Sequence, residues 1–463
     1  MQLTQGKINY LFFHLAFYWK EQKEISDCFC FENAENIKNI KYQNKIVFPL
    51  SQTEDINPVI VNVLDRDIPI LYPLNLDNKE LYYLDSSGNL IFSHDYLKSS
   101  FYFLSGLQEL NVQERDNHGR FQYKNSIQKK LNCINIPVVN YYFEIILQGL
   151  DFFCKQHGIA FTRKRLFETF GFFLSHDVDQ IAFYHWRETA IKIKQLLGIS
   201  PLIYSKSVTL KLFLKGLLFL INPFRKKDPW WNFEELINFE EKLGIQSAFY
   251  FLYNENRKKD SLYKFSNKKI NTLFKTLINN SFEVGLHGTY NSAENQESML
   301  MQVKEYVTEF GYKPDGIRQH FLRFFNPLTF VLQEKAGFKY DTSLSFAEHE
   351  GYRNGYCYPF KPFDFENDCI MNIWEIPLIM MEVTALNYRK LDFIETKESV
   401  FQLIREAEKF GGIFSLLWHN SRMTEYEYPG IKLFYNSLLK SIVEKKPVCF
   451  NGKDLTLFNQ LIN

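Results

Sequence analysis

Two carboxylates follow a short apolar run near the middle of the chain. Three apolar residues, 172–174, lead into the polar sequence Ser-His-Asp-Val-Asp at 175–179. This pattern is typical of a buried β-strand whose last residues open into a site. Because strand side chains alternate between faces, Asp177 and Asp179 should lie on the same side. Two carboxylates held in a cleft repel each other unless something positive lies between them, and a metal ion meets that need.

An Asp-x-Asp at a strand end has a second interpretation. The carboxylates could instead cap a following helix or pair with a nearby arginine. Three further residues favour the metal site, because His287, Arg318 and His419 each stand at the end of another short apolar run. The sequence therefore indicates one site built from residues that lie far apart along the chain.

The segments that must position these residues alternate between strand-like runs and amphipathic helices. This is the pattern of an α/β fold with a largely parallel sheet. The predicted strands cover residues 172–176, 247–253, 282–287, 316–319, 338–344, 373–378 and 413–418. Helices are predicted over 233–243, over 293–310 with Ser292 before it, and after Asn326-Pro327 with an end at Gly337. About seven βα units indicate a closed or nearly closed barrel, in which working residues collect where strands end.

Residues 1–130 are predicted to form a separate small α/β domain of unknown role, followed by the barrel over 131–463. Its predicted elements are strands at 45–49, 59–63 and 68–73, a hairpin from 82–84 and 90–92, and a helix capped near Asp95. No catalytic constellation is present in this part of the sequence. A polar stretch within residues 111–128 is the expected connection to the barrel.

The composition is that of a globular protein with a sizeable core. Of the 463 residues, 46% are hydrophobic and 23% are charged, and the net charge is +1. A charge this close to zero argues against a general binder of the phosphate backbone, so nucleic acid is not an expected partner. Aromatic residues make up 17%. They can fill a core or line a sugar-binding cleft, and composition does not separate the two.

The seven cysteines are scattered and match neither a zinc-knuckle spacing nor a disulfide framework. We expect reduced thiols, and since the first residues lack a signal-peptide pattern, a cytoplasmic protein. No segment has the roughly 18 uncharged apolar residues of a membrane span. The apolar stretch from Leu210 to Ile221 contains two lysines and precedes a basic cluster at 225–227. It could make peripheral contact with a membrane surface, or it could pack as an amphipathic helix on its own domain.

The ordered set Asp177, Asp179, His287, Arg318 and His419 resembles the motifs of the polysaccharide deacetylase superfamily, carbohydrate esterase family 4. The resemblance covers roughly residues 135–450, and an ordered set is less expected by chance than any one motif. It implies a distorted (β/α)7-type barrel of the deacetylase kind. It also implies that Asp177 is the catalytic base and Asp179 a metal ligand.

The second family motif, His-Ser/Thr-x-x-His, is matched in part. The resemblance implies that His287 is a metal ligand, whereas Asn291 stands where the family has its second histidine. An amide oxygen is a weaker zinc ligand than an imidazole, so Asn291 is one candidate for the third ligand and His320 is another. His320 could instead be packed or contact the substrate. Arg318, two residues earlier on the same strand face, would orient Asp177 and favour its charged form.

The remaining motifs concern the substrate and the general acid. Trp374 is similar to the strand that lines the family's acyl-group pocket, although it could equally be a core residue. The sequence Leu-Leu-Trp-His-Asn at 416–420 resembles the family's Leu-x-x-His motif, which makes His419 the expected general acid. Trp418 and Ser292, which adjoin these motifs, are predicted to contact the substrate.

The resemblance implies a metal-dependent hydrolase that removes acetyl groups from an N-acetylated sugar in a polysaccharide or glycan, with a divalent cation, expected to be zinc. Two alternatives remain. One is a glycan-binding homologue without catalysis, suggested by Asn291. The other is a scaffold in envelope-glycan assembly, attached to other enzymes or to a membrane face through residues 1–130 and the stretch from Leu210 to Ile221.

Overall fold

A computed structural model of the chain describes residues 2–455 and 458, apart from residues 75–79, 204, 223–227 and 257. The strands, numbered in chain order, are β1 Phe29–Asn33, β2 Ile46–Leu50, β3 Val59–Val63, β4 Arg66–Ile70, β5 Tyr82–Leu84, β6 Leu90–Phe92, β7 Gly171–Val178, β8 Ala248–Leu252, β9 Glu283–Gly288, β10 Gly316–Gln319, β11 Tyr340–Asp341, β12 Phe363–Asp364, β13 Cys369–Ile370, β14 Trp374–Glu375, β15 Met380–Met381, β16 Ile413–Leu417 and β17 Val448–Cys449.

The α-helices are α1 Gln5–Leu15, α2 Lys23–Ser26, α3 Tyr96–Leu104, α4 Gln108–Asn111, α5 Ile127–Lys130, α6 Val138–His157, α7 Trp186–Leu196, α8 Lys206–Ile221, α9 Phe233–Lys242, α10 Lys268–Asn279, α11 Gln296–Phe310, α12 Leu328–Ala336, α13 Phe393–Phe410 and α14 Ile431–Val443. All seven strands predicted for residues 131–463 are present, although β11 and β14 are only two residues long.

The chain divides into two compact units that are both discontinuous in sequence. The first unit comprises residues 1–172, 321–415 and 453–463, and the second comprises residues 173–320 and 416–452. The domain boundary expected between residues 130 and 131 does not coincide with this division and stays a prediction. Trp374 belongs to the first unit, and every other predicted site residue belongs to the second.

The second unit is built on parallel strands in the order β10-β9-β8-β7. Asp177 is paired with Tyr250, and His287 is paired with Leu252 on one side and Arg318 on the other. The carboxyl ends of the strands therefore lie along one edge, as the sequence predicts. All residues of these four strands are buried, which is consistent with the apolar runs of β7 and β8.

Gly285 on β9 allows the neighbouring strands β8 and β10 to approach closely. A Cβ atom on this residue would lie 2.6 Å from the ring of Tyr250 on β8 and 2.9 Å from the carbonyl oxygen of Gly316 on β10. Both distances are shorter than a carbon atom tolerates in a packed interior. Glycine at this position therefore fixes the course of β9 two residues before His287.

The helices α9 and α12 begin where their capping signals predict, whereas α11 does not. It begins at Gln296 rather than at residue 293, because the side chain of Asn295 accepts the hydrogen bond from Ser298 N at 2.9 Å. Residues 291–294 form a turn instead, in which Glu294 N donates to Asn291 O. Asn295 is thus the N-cap residue in place of Ser292.

The first unit contains the predicted small α/β region. Strands β1, β2, β6 and β5 form one sheet in that order, and β5 and β6 pair as the predicted antiparallel hairpin. The side chain of Asp95 caps α3, again as predicted. Helices α1 and α6 are additional to the predicted elements. The rings of Tyr10, Phe101 and Phe363 pack edge to face, so the first 130 residues share a core with the segment after residue 321.

The predicted fold class, an α/β fold with a largely parallel sheet and a small α/β region at its N-terminus, is confirmed. The seven cysteines form no disulfide. Within the ranges that the structure describes, no helix combines the length and the apolar character needed to span a membrane.

Candidate metal centre

The end of β7 places two carboxylates against the same imidazole. Oδ2 of Asp177 lies 3.6 Å from Nε2 of His287, and Oδ1 of Asp179 lies 3.2 Å from the same nitrogen. The two acids therefore face the same side, as the period of the strand requires. Asp177 is buried, whereas the Asp179 side chain is 27% exposed. Asp179 is thus the acid that a small cation could reach from solvent.

His287 is held in one tautomer by the neighbouring strand. Its Nδ1 lies 2.8 Å from the carbonyl oxygen of Arg318, which can only accept a hydrogen bond. Nδ1 therefore carries the proton, and Nε2 directs its lone pair toward the two carboxylates when the ring is neutral. This is the arrangement that a metal-binding histidine usually has.

His320 is held in the same way, by a residue that the sequence analysis did not identify. Its Nδ1 lies 3.4 Å from Oδ1 of Asp260, and its Nε2 lies 3.7 Å from Oδ1 of Asp179. The backbone amides of Tyr290 and Asn256 donate to the two carboxylate oxygens of Asp260 at 2.9 and 3.0 Å. These donors hold the carboxylate of Asp260 in place, and it orients His320 with Nε2 toward the carboxylate of Asp179.

Asp179, His287 and His320 have the geometry and chemistry to hold a metal ion. One ligand atom from each lies within 4.8 Å of the other two. Among the described residues, nothing donates a hydrogen bond to Oδ1 of Asp179, although this atom is buried. An unsatisfied buried carboxylate oxygen beside two imidazole nitrogens fits a divalent cation such as zinc.

The pKa shifts of Asp179 and His287 also support a cation site. Burial alone raises the pKa of Asp179, but His320, His287 and His419 outweigh it and hold the pKa well below its usual range. Burial alone lowers the pKa of His287, but Asp177 and Asp179 outweigh it and raise the pKa above its ordinary value. Negative charge is therefore concentrated at this point, where a cation would neutralise it.

Asp177 is fixed by Arg318, which is fully buried on β10. Nη1 of Arg318 donates to Oδ1 of Asp177 and to Oγ of Ser175, each at 2.9 Å. The guanidinium also lies 4.8 Å from the centre of the Tyr250 ring. One oxygen of Asp177 is thus held by the arginine, and the other, Oδ2, is turned toward the histidines.

His419 reaches the cluster from the residue that follows Trp418. Its Nε2 lies 3.8 Å from Oδ2 of Asp179 and 4.0 Å from Oδ2 of Asp177, and its side chain is 12% exposed. The backbone of Trp418 forms two hydrogen bonds with β7. Its amide donates to the carbonyl oxygen of Ser175, and its carbonyl oxygen accepts from the ring of His176. His176 and its buried partner Glu240, 2.9 Å away, thus support the segment that presents His419.

Asn291 and Ser292 do not occupy the predicted places. The side chain of Asn291 is exposed, and its amide nitrogen donates to Glu255 at 3.3 Å. Ser292 is fully buried, and its hydroxyl hydrogen-bonds the carbonyl oxygen of Thr289 and the side-chain oxygen of Gln319, each at 2.9 Å. The structure therefore gives the position beside Asp179 and His287 to His320, and it leaves Ser292 without access to a substrate.

The two tryptophans predicted to contact the substrate are core residues. Trp418 is 1% exposed and packs against Phe434 and Tyr435 of α14. Trp374 is 4% exposed and lies in the first unit, where its ring packs against Phe13 and Phe17. The alternative of a core role for Trp374 is the one that the structure supports.

Comparisons with known proteins give matches of two kinds. A family of unknown function, DUF7033, matches residues 6–154. Solved structures match a larger part of the chain. No curated protein sequence matches it.

Three of these structures are proteins related to carbohydrate chemistry. A candidate polysaccharide deacetylase from Mycobacterium smegmatis is 13% identical, with 63% of this chain and 90% of that chain covered and a TM-score of 0.41. A carbohydrate esterase family 4 pseudoenzyme from Bacillus anthracis is 9% identical, with 51% and 63% covered and a TM-score of 0.30. The family 4 domain of a xylanase from the hindgut metagenome of Trinervitermes trinervoides is 10% identical, with 63% and 91% covered and a TM-score of 0.29. Structures of carbohydrate esterase family 4 are thus among those to which this chain is similar.

Proposed function

We propose that this chain is a metal-dependent hydrolase that removes acetyl groups from an N-acetylated sugar in a glycan. The observation that carries the proposal is the convergence of two carboxylates and three histidines at the carboxyl ends of the strands of the second unit. These groups divide into a set that fits a cation and a pair that fits proton transfer. The ordered motifs of the sequence resemble those of a deacetylase family, which supports the same reaction.

Asp179, His287 and His320 would hold the cation. A divalent cation bound there supplies Lewis acidity, which polarises the acetyl carbonyl and makes water easier to deprotonate. Asp260 and the carbonyl oxygen of Arg318 keep the two imidazoles oriented for this task. The cation is expected to be zinc, because two imidazoles and one carboxylate are the ligands found in catalytic zinc sites.

Asp177 is suited to act as the general base. Arg318 holds one of its oxygens, so Oδ2 is available to accept a proton. In the proposed reaction, Oδ2 of Asp177 takes a proton from a water molecule as the water oxygen forms a bond to the acetyl carbon. The bond between that carbon and the sugar nitrogen then breaks.

His419 is suited to act as the general acid. Its Nε2 lies close to both carboxylates, and an imidazole can donate a proton near neutral pH. In the proposed reaction, this nitrogen donates its proton to the departing sugar nitrogen, so the products are acetate and a free amine. An amide needs such an acid, because an amine anion does not leave at neutral pH, and this requirement favours an N-acetyl over an O-acetyl substrate.

The test is to separate proton transfer from metal binding. We expect Asp177→Asn and His419→Ala to lower the rate of acetate release from chitin oligosaccharides by roughly 10²–10⁴-fold, the usual contribution of a general base or acid. Both variants should still bind one equivalent of zinc by elemental analysis. His157→Ala, at the end of α6 in the first unit, is the histidine control and should leave both measurements unchanged.

Two outcomes would contradict the proposal. Full acetate release by either variant would remove Asp177 or His419 from the reaction. A wild-type protein that binds the oligosaccharide but retains no zinc after reconstitution would instead be a glycan-binding homologue without catalysis.

A further inference from the structure

Helices α7 and α8 form a pair, here called the hairpin (residues 186–222), between β7 and β8 of the second unit. The distribution of residues on α7 is the reverse of that in a typical surface helix. Its buried residues are polar: Thr189, Lys192 and Gln195. Two of its apolar residues are exposed instead, Trp186 at 64% and Ile193 at 41%, and Leu197 directly after the helix is 68% exposed. A helix that packs only against its own domain would bury its apolar residues and expose its polar ones.

Helix α8 repeats this reversal. It buries only Thr209, Leu212 and Gly216. Five of its six exposed apolar residues are spaced by four, three, one and three positions, which places these five on one face of the helix: Leu210, Leu214, Leu217, Leu218 and Ile221. The connection between the helices also exposes apolar residues, since Ile199 is 69% exposed and Ile203 is 65% exposed.

The inner side of the hairpin is already packed. A Cβ atom on Gly216 would lie 2.6 Å from Oγ1 of Thr189, so the two helices are in close contact there. Leu212 packs with Phe183 and Tyr184 in a small core. The hairpin is therefore firmly attached to its unit. Loose attachment does not explain why its outer face is exposed.

The charge of the hairpin restricts what could cover the outer face. Residues 186–222 contain six lysines and arginines but one acidic residue, Glu188. Lys194, Lys206 and Lys211 are exposed, and Lys211 lies on the flank of the apolar stripe of α8. A second copy of the chain would bring an equally positive face against this one, which is unfavourable. Anionic lipid headgroups would instead complement the lysines.

We propose that the outer face of the hairpin lies in the interfacial layer of an anionic phospholipid bilayer. The combination of an apolar face, flanking lysines and an exposed tryptophan is what membrane-surface helices use. Contiguous apolar surfaces of this kind are rare on proteins that bind nothing there. The basic cluster at 225–227 continues the positive charge in the sequence but lies outside the described residues.

A cavity at the base of the hairpin supports the choice of anionic lipid. It has a volume of about 540 Å³ and is lined by His185, Trp186, Arg187, Lys258 and Leu262. Two cationic side chains and an imidazole in a concave site are suited to a phosphate group. The cavity adjoins the first turn of α7, where Trp186 begins the outer face.

Membrane docking also narrows the substrate, and this step rests on the proposed function. The hairpin begins seven residues after Asp179, and both follow the carboxyl end of β7. An acetylated glycan attached to a lipid would be presented to the site from the same surface on which the hairpin lies. The substrate class is therefore a lipid-linked glycan.

The experiment measures binding of the full chain to sedimenting vesicles of phosphatidylcholine with or without phosphatidylglycerol. We expect binding to the anionic vesicles only, and we expect Leu214→Ser combined with Leu218→Ser to weaken it at least about tenfold. Lys206→Glu combined with Lys211→Glu should remove the preference for anionic vesicles. The control combines Leu300→Ser and Leu433→Ser, two exposed leucines on α11 and α14, and should bind as the wild type does.

The outcomes keep this proposal separate from the proposed function. Asp177→Asn should bind vesicles normally, because docking needs no catalysis. Absence of wild-type binding, or equal losses in the two leucine pairs, would overturn the proposal. Sedimentation velocity without vesicles tests the alternative that a second copy of the chain covers the face. In that case the wild type would be a dimer that does not bind vesicles, and Leu214→Ser combined with Leu218→Ser would convert it to a monomer.

Discussion

Three groups of the candidate site each have a partner that fixes their orientation. Nδ1 of His287 is held by a backbone carbonyl, Nδ1 of His320 by Asp260, and one oxygen of Asp177 by Arg318. In each of these three side chains, the partner binds one polar atom, and the other polar atom is turned toward the cluster. The partners are therefore as necessary to the arrangement as the groups that would touch metal or substrate.

Asp260 provides the test of this dependence. We expect Asp260→Asn to weaken zinc binding about 10–100-fold, because an amide orients the imidazole of His320 less strongly than a carboxylate does. The measurement is competition for zinc with a chelator of known affinity. Asp392→Asn is the control, because it removes a carboxylate that caps α13 in the first unit and should leave zinc affinity unchanged. Equal zinc affinity in Asp260→Asn and wild type would show that Asp260 does not position the ligand.

Sequence and structure agree best on residues that end an apolar run. Asp177, His287 and Arg318 are recognisable because each lies near the carboxyl end of a buried strand, and parallel strands align their ends. Asp260 was missed because it lies in a polar loop eight residues beyond the end of β8. Trp418 was misassigned for a different reason. Adjacent residues in extended chain point to opposite faces, so a residue beside His419 turns toward the core when His419 faces the site.

At the scale of elements, helix α1 depends on a neutral histidine. His14 is fully buried, with Nδ1 2.8 Å from Tyr10 O and Nε2 3.1 Å from the amide nitrogen of Lys361. The carbonyl requires a proton on Nδ1, and the amide donor requires a lone pair on Nε2. Burial is the main cause that lowers the pKa of His14 to about 3. A proton on Nε2 would break the bond that joins α1 to the segment after residue 360.

This geometry predicts how stability depends on pH. The folded pKa of His14 is about 3, against 6.5 for the ordinary group, so unfolding takes up a proton between these values. Stability should therefore fall as the pH drops below 6.5, by at most about 1.4 kcal/mol per pH unit. His14→Gln removes this contribution, and urea unfolding at several pH values should show the difference from wild type changing with that slope. His157→Gln, a half-buried control on α6, should give a curve parallel to that of the wild type.

At the scale of the whole molecule, the sequence did not reveal how the first unit is assembled. Composition and turn signals place a boundary near residue 130, because local patterns report only local structure. The first unit is instead joined by contacts between residues more than 200 positions apart. The side chains of Arg353 and Glu109 form two hydrogen bonds of 2.8 and 3.1 Å, and both are only 3% exposed. Helices before residue 130 and loops after residue 321 therefore depend on each other.

Removing Glu109 tests this dependence directly. We expect Glu109→Gln to lower the free energy of unfolding by about 3–5 kcal/mol, because it leaves the buried charge of Arg353 without a counter-charge. The control Glu114→Gln breaks an exposed pair with Lys124 and should leave the free energy of unfolding nearly unchanged. A chain that begins at residue 131 lacks Glu109 together with α1 and α3, so it should show no cooperative unfolding of the first unit in urea. Cooperative unfolding of that shortened chain at the wild-type midpoint would instead establish residues 131–463 as an independent domain and contradict the shared core.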